Sequence, residues 1–74
     1  MQPDKLVMMA NQIAKFFETQ GEVRALPQIT NHIELFWDPR MRRAITTHLA
    51  QGGTGLDPLA RQAIGKLKSV VGTP

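Results

Sequence analysis

Asp-Pro occurs twice in this chain, at residues 38–39 and 57–58, and the two corners divide it more firmly than any other feature. A residue before proline avoids helical angles. A helix that runs toward Asp38 must therefore stop near Trp37. Asp is also a favoured helix N-cap, and proline is pre-set for the first helical position. Each Asp-Pro pair thus closes what precedes it and opens a helix behind it. The echo goes further: DPRMRRAI at 38–45 and DPLARQAI at 57–64 share an arginine four residues past the Asp and an Ala-Ile beyond it. Two copies are too few for a repeat protein, and capping accounts for both as helix openings.

Apolar residues at three- and four-residue steps fill the segments between the corners. Residues 4–19 are expected as a first helix, with Leu6, Met9, Ala10, Ile13, Phe16 and Phe17 on its inner stripe. Pro3 and Asp4 suit its start, and Gly21 suits its end. Residues 26–37 are expected as a second helix, carrying Leu26, Ile29, Ile33, Phe36 and Trp37 inward. Pro27 would break a helix interior, which places it in the opening turn. The third helix starts at Pro39, faces Met41, Ala44, Ile45, His48 and Leu49 inward, and ends at Gly52 and Gly53. The QGGTGL segment reads as a flexible link. A fourth helix follows Asp57-Pro58, with Leu59, Ala60, Ala63, Ile64, Leu67, Val70 and Val71 on one stripe, and Gly72 and Pro74 ending the chain. Gly65 inside that helix costs about 1 kcal/mol against alanine. No segment alternates with period two. The expected fold is all-α, a small bundle of four short helices in one domain over residues 1–74.

Size then limits what such a bundle can do. A domain of 74 residues buries only about 60% of its unfolded surface, so it is marginal without a staple. There is no cysteine, which removes disulfides and thiolate metal sites. His32 and His48 lie sixteen residues apart, a poor start for a metal site. A partner subunit, or self-association of the free chain, is the staple that remains. Lack of cysteine fits a reducing compartment, the N-terminus lacks a secretory signal, and no apolar run is long enough to span a membrane. The expected location is the cytoplasm. Net charge is +3, a mild excess that permits an acidic partner.

The chemistry-bearing residues form no catalytic set. Asp38 and Asp57 serve as caps, and Asp4, Glu18, Glu22 and Glu34 fall on polar faces. Ser69 is the only serine. Four helices this short are not expected to enclose a ligand pocket, for which about 300 Å³ is the lower end. Gly52, Gly53 and Gly55 lack the Gly-Lys-Ser/Thr of a phosphate loop. His32 reads as a boundary residue and His48 as a hydrogen-bonded, partly buried one. Met9 and Met41 read as core filling, whereas Met8 lies off the main stripe and is a contact candidate.

Arg40, Arg42 and Arg43 stand apart, because cations in a first helical turn oppose the helix dipole by about a few tenths of a kcal/mol each. Asp38 offsets part of this, and Glu34 is placed to pair with one guanidinium. A solvated basic face is one reading; the other is recognition, since arginine beside Phe36 and Trp37 is the composition of an interface hot spot. The expected partner-binding residues are Phe36, Trp37, Arg40, Arg42, Arg43 and Met8. Trp37 is either core or an exposed anchor. The alternative function is a small basic nucleic-acid-binding regulator, although the break at Asp38-Pro39 is shorter than a helix–turn–helix needs.

One resemblance adds to this. KLVMMANQIAKFF followed by HIELFWDPRMRRAITTHLAQGGTGLDPLARQAI resembles the small delta-subunit family of NAD-dependent, molybdenum-containing formate dehydrogenases, over roughly residues 5–64. The most specific pieces are Met9–Ile13, Phe36–Arg42 and the Gly-Gly-x-Gly-Leu-x-Pro segment at 52–58, while GEVRALPQIT looks like a variable connection. The resemblance implies a non-catalytic accessory subunit of a cytoplasmic complex that oxidises formate to carbon dioxide with NAD. It places molybdopterin guanine dinucleotide and iron–sulfur clusters in the large catalytic subunit, and FMN and the NAD site in others. No cofactor and no catalytic or metal-binding residue carries over to this chain. The implied partner is the large catalytic subunit, with no nucleic acid and no membrane. The implied role is to stabilise that subunit or to help its assembly and cofactor insertion, with a transient assembly chaperone as the alternative.

Overall fold

In a computed structural model of the protein, which describes residues 2–67, both Asp-Pro corners open helices. The elements are α1 (Pro3–Glu18), α2 (Glu22–Phe36), α3 (Pro39–Ala50) and α4 (Pro58–Gly65), and no strand occurs among the described residues. The all-α expectation holds. α1 and α4 each pack on the other three helices, while α2 and α3 scarcely meet.

The two corners differ in how they cap. At Asp38 the side chain accepts a hydrogen bond from the Met41 amide at 2.9 Å. At Asp57 the side chain makes no such bond, and the backbone amide instead donates to Asn11 Oδ1 at 2.9 Å. Asp38→Ala should therefore lower stability by about 1 kcal/mol, the usual value of an N-cap bond, and Asp57→Ala by clearly less. Urea denaturation of the two variants measures the difference.

α2 departs from the expected span. It begins at Glu22 rather than residue 26, so Pro27 lies inside it. The physical reason is Ala25, which is fully buried and continues the Ile29 and Ile33 stripe one turn upstream. Pro27 cannot donate to the Val23 carbonyl, a cost of about 3 kcal/mol in a helix interior. Val23 is 86% exposed, so water is available to that carbonyl. GEVRALPQIT, which looks like a variable connection, thus holds the N-cap Gly21 and the first two turns of α2.

The α1 stripe is also turned from its expected position. Its core face is Leu6, Val7, Ala10 and Ala14. Met9, Ile13 and Phe17 are half-buried at the core's edge, and Phe16, expected inside, is 74% exposed. α3 matches its expected face: Ile45 is fully buried, with Met41, Ala44 and Leu49 packed against the core. α4 buries Ala60, Ala63 and Ile64, with Leu59 and Leu67 at the margin. It ends at Gly65; Val70, Val71, Gly72, Pro74 and Ser69 lie outside the described residues.

Alanines dominate the helix contacts. Ala10, Ala25, Ala60 and Ala63 are fully buried and Ala14 almost so, among Ile29, Ile33, Ile45 and Ile64. Small side chains at a crossing let helix axes approach closely. Thr30 Oγ1 then reaches across and donates to the Ala63 carbonyl at 2.9 Å, tying α2 to α4. A core this thin has little room for large side chains. Met8, Phe16, Val23, Leu35 and Phe36 are all left more than half exposed.

Candidate interaction groove and the clamped glycine loop

The exposed aromatics are not scattered. α1, α2 and the start of α3 flank an open groove of about 490 Å³, lined mainly by Met9, Ile13, Phe16, Phe17, Phe36 and Met41, with Gln12, His32 and Trp37 completing it. It is not the enclosed pocket that four short helices are not expected to form, but a space left open between them. The rings form a continuous run. Phe16 and Phe17 meet edge-to-face at 5.1 Å, Phe17 and His32 edge-to-face at 6.3 Å, and His32 and Phe36 meet tilted by 41° at 4.7 Å. Such pairs hold one another beyond simple area burial.

The expected partner-binding residues separate into three positions. Phe36 is 71% exposed on the groove wall. Trp37 is 5% exposed, so it is core and contributes only to the groove floor. Arg40 and Arg43 are exposed and Arg42 half-buried, on either side of the groove residue Met41. Arg42 Nε is buried without a hydrogen-bond partner. Met8 is 59% exposed and does not line the groove. Phe16, Phe17 and His32 were not expected as site residues. For Phe16 and Phe17 the signal was present in the α1 apolar stripe, which is too wide for one buried face; His32, on α2, has no such signal.

The glycine loop is a second built feature, and it is not a slack link. Asn11 from α1 donates from Nδ2 to the Gly55 carbonyl at 2.9 Å while its Oδ1 accepts from the Asp57 amide. Arg61 from α4 donates to the carbonyls of Gly52 at 2.7 Å and Gly53 at 3.2 Å. His48 from α3 donates from Nε2 to the Thr54 carbonyl at 2.8 Å, which fixes the proton on that nitrogen, because a carbonyl can only accept. Three helices thus grip one loop and seat Leu56 in the core at 6% exposure. The arrangement also removes the phosphate-loop reading. A phosphate nest needs free amides, but Gly52, Gly53, Leu56 and Asp57 already donate theirs to Leu49, His48, Gly53 and Asn11. The echoed arginines have diverged accordingly: Arg61 clamps the loop, and Arg42 leaves its Nε unmatched.

Cysteine is absent, and among the described residues no group of three or more His, Asp or Glu comes together to hold an ion. No helix of the described residues is long and apolar enough to cross a membrane.

Fold and site together define a small all-α domain with an open aromatic groove beside a basic helix start. A family model, that of the NADH-dependent formate dehydrogenase delta subunit FdsD, matches residues 5–64, from the first turn of α1 to the last turn of α4. The chain belongs to that family. No curated protein and no solved structure matches it.

Proposed function

We propose that this chain is a non-catalytic accessory subunit of a cytoplasmic, NAD-dependent molybdenum formate dehydrogenase, held on the large catalytic subunit and stabilising it or aiding its assembly. The observation that carries this reading is the exposure of two of its phenylalanines: Phe16 and Phe36 are more than two-thirds exposed and line one groove. Clustered exposed apolar surface on a small domain marks a site of contact. Membership of a delta-subunit family supports a formate dehydrogenase complex as the setting of that contact. On this reading Phe36, Arg40, Arg42 and Arg43 meet the partner directly, Trp37 supports them from beneath, and Met8 is a separate peripheral contact. The molybdopterin, iron–sulfur, FMN and NAD chemistry belongs to the other subunits.

Arg40→Glu combined with Arg43→Glu should abolish co-purification with the large subunit while leaving far-UV circular dichroism unchanged, because both side chains are exposed. Wild-type binding should also weaken as salt rises, since exposed charges are screened within about 10 Å at 0.1 M. Full retention of the doubly reversed chain would count against the arginine contact. Fixed stoichiometry in the mature enzyme separates a resident subunit from a transient chaperone.

A further inference from the structure

The groove has a length, a chemistry and a charged end, and these together specify what covers it. Its α1 wall runs from Met9 to Phe16, about 10 Å of helix at 1.5 Å per residue. That is two turns, the reach of an amphipathic helix docked through anchors at i, i+3 or i+4, and i+7. Phe16, Phe17 and Phe36 supply flat aromatic surface, and Met9 and Met41 supply adaptable contacts. At the α3 end, the lining residue Met41 is flanked in sequence by Arg40, Arg42 and Arg43, which do not line the groove but stand on a helix start that is already the positive pole of its dipole. Arg40 and Arg43 are exposed there.

We infer that the groove receives a short amphipathic helix of a partner subunit of formate dehydrogenase, apolar on its inward face and carrying Asp or Glu at the end that meets Arg40, Arg42 and Arg43. This rests on the reading of the chain as an accessory subunit, and adds the docking face and the chemistry of the segment that fills it. Carboxylates at that end offset cations that their own helix dipole disfavours and give the guanidinium groups bidentate acceptors. A second copy of this chain is the poorer occupant. Each copy carries +3 overall and the same arginine group beside the groove, so two copies meeting there bring like charges together.

The test uses the complex, with this chain co-expressed beside the tagged large subunit and its companions. A photo-crosslinking phenylalanine analogue replaces Phe16 in the groove, or Val23, which is exposed and does not line it. The Phe16 probe is expected to join a partner-subunit peptide with helically spaced apolar residues and adjoining Asp or Glu; the Val23 probe is not. In parallel, Phe16→Glu with Phe36→Glu is expected to cut the share of this chain in the purified complex by about tenfold or more, as loss of two interface aromatics should. Both residues are exposed, so helicity is retained. Retention of that double variant at the wild-type level overturns the groove assignment and leaves the accessory-subunit reading standing. A Phe16 crosslink to a second copy, or to a segment without carboxylates, overturns it as well. Failure of the wild-type chain to co-purify with any formate dehydrogenase subunit overturns both.

Discussion

Trp37→Ala is expected to unfold this chain, or nearly so, while Phe36→Ala one residue away leaves its stability within about 0.5 kcal/mol. The two large aromatics are adjacent in sequence and opposite in environment. Trp37 is 5% exposed and Phe36 is 71% exposed. Truncating a buried large aromatic costs about 3–5 kcal/mol. The whole domain has only about 4–11 kcal/mol to lose, at 0.05–0.15 kcal/mol per residue. Trp37 also sits where α2 turns extended ahead of Pro39, at φ −92° and ψ 135°, with its amide donating to the Ile33 carbonyl at 2.9 Å. Its ring therefore anchors the corner that sets α3 against α1. A thermal melt followed by circular dichroism reads the effect. For a domain of this size each kcal/mol moves Tm by about 4–8 °C, so the drop should exceed about 12 °C. A shift below about 4 °C would place Trp37 outside the core and remove the floor of the groove with it.

What the sequence revealed, and what it hid, follows from the range of the interactions. The Asp-Pro corners were legible because capping and the restriction before proline are local, and α3 begins where they require. The α2 start was not legible. Pro27 argues against an upstream extension by local rules, and only the burial of Ala25 against other helices outweighs it. The α1 error is of another kind. Leu6, Ala10, Ile13 and Phe17 repeat at helical spacing, but so do Met9, Ile13 and Phe16 on the adjoining side. Periodicity shows that residues are apolar and share a face; it does not show which face a partner helix covers. With alanine on the covered side, the bulky side became the groove. The glycine loop was hidden for a third reason. Its composition is that of a flexible link, and the residue that spans two of its backbone groups, Asn11, comes from 44 positions away.

The three segments that carry the family resemblance acquire a physical meaning in the fold. Met9–Ile13 holds both groove residues and the Asn11 clamp. Phe36–Arg42 holds the groove wall, the buried Trp37 and the α3 cap. Residues 52–58 are the clamped loop itself. The segments on which the resemblance rests thus shape one surface and lock one loop.

Gly53→Ala is expected to destabilise the chain by about 2–5 kcal/mol, through two terms that a second substitution separates. Gly53 has φ +64°, where a side chain strains the backbone by about 1–2 kcal/mol. A Cβ there would also lie 3.0 Å from Leu49 Cδ1 and 3.2 Å from an Arg61 guanidinium nitrogen. Crowding of a packed site typically adds about 1–3 kcal/mol. An Arg61→Ala background separates them: there the guanidinium is gone, so Gly53→Ala bears the backbone term and only the Leu49 contact. In urea denaturation Gly53→Ala should cost clearly more in the wild type than in that background. The reason reaches past the loop. Displacing Arg61 frees the Gly52 and Gly53 carbonyls, which loosens the segment that seats Leu56 and carries the Gly55 and Asp57 groups held by Asn11. Asn11 lies between Met9 and Ile13 on the helix that forms one groove wall. If Gly53→Ala costs the same in both backgrounds, Arg61 moves aside without cost, and the loop is not clamped in the way its hydrogen bonds indicate.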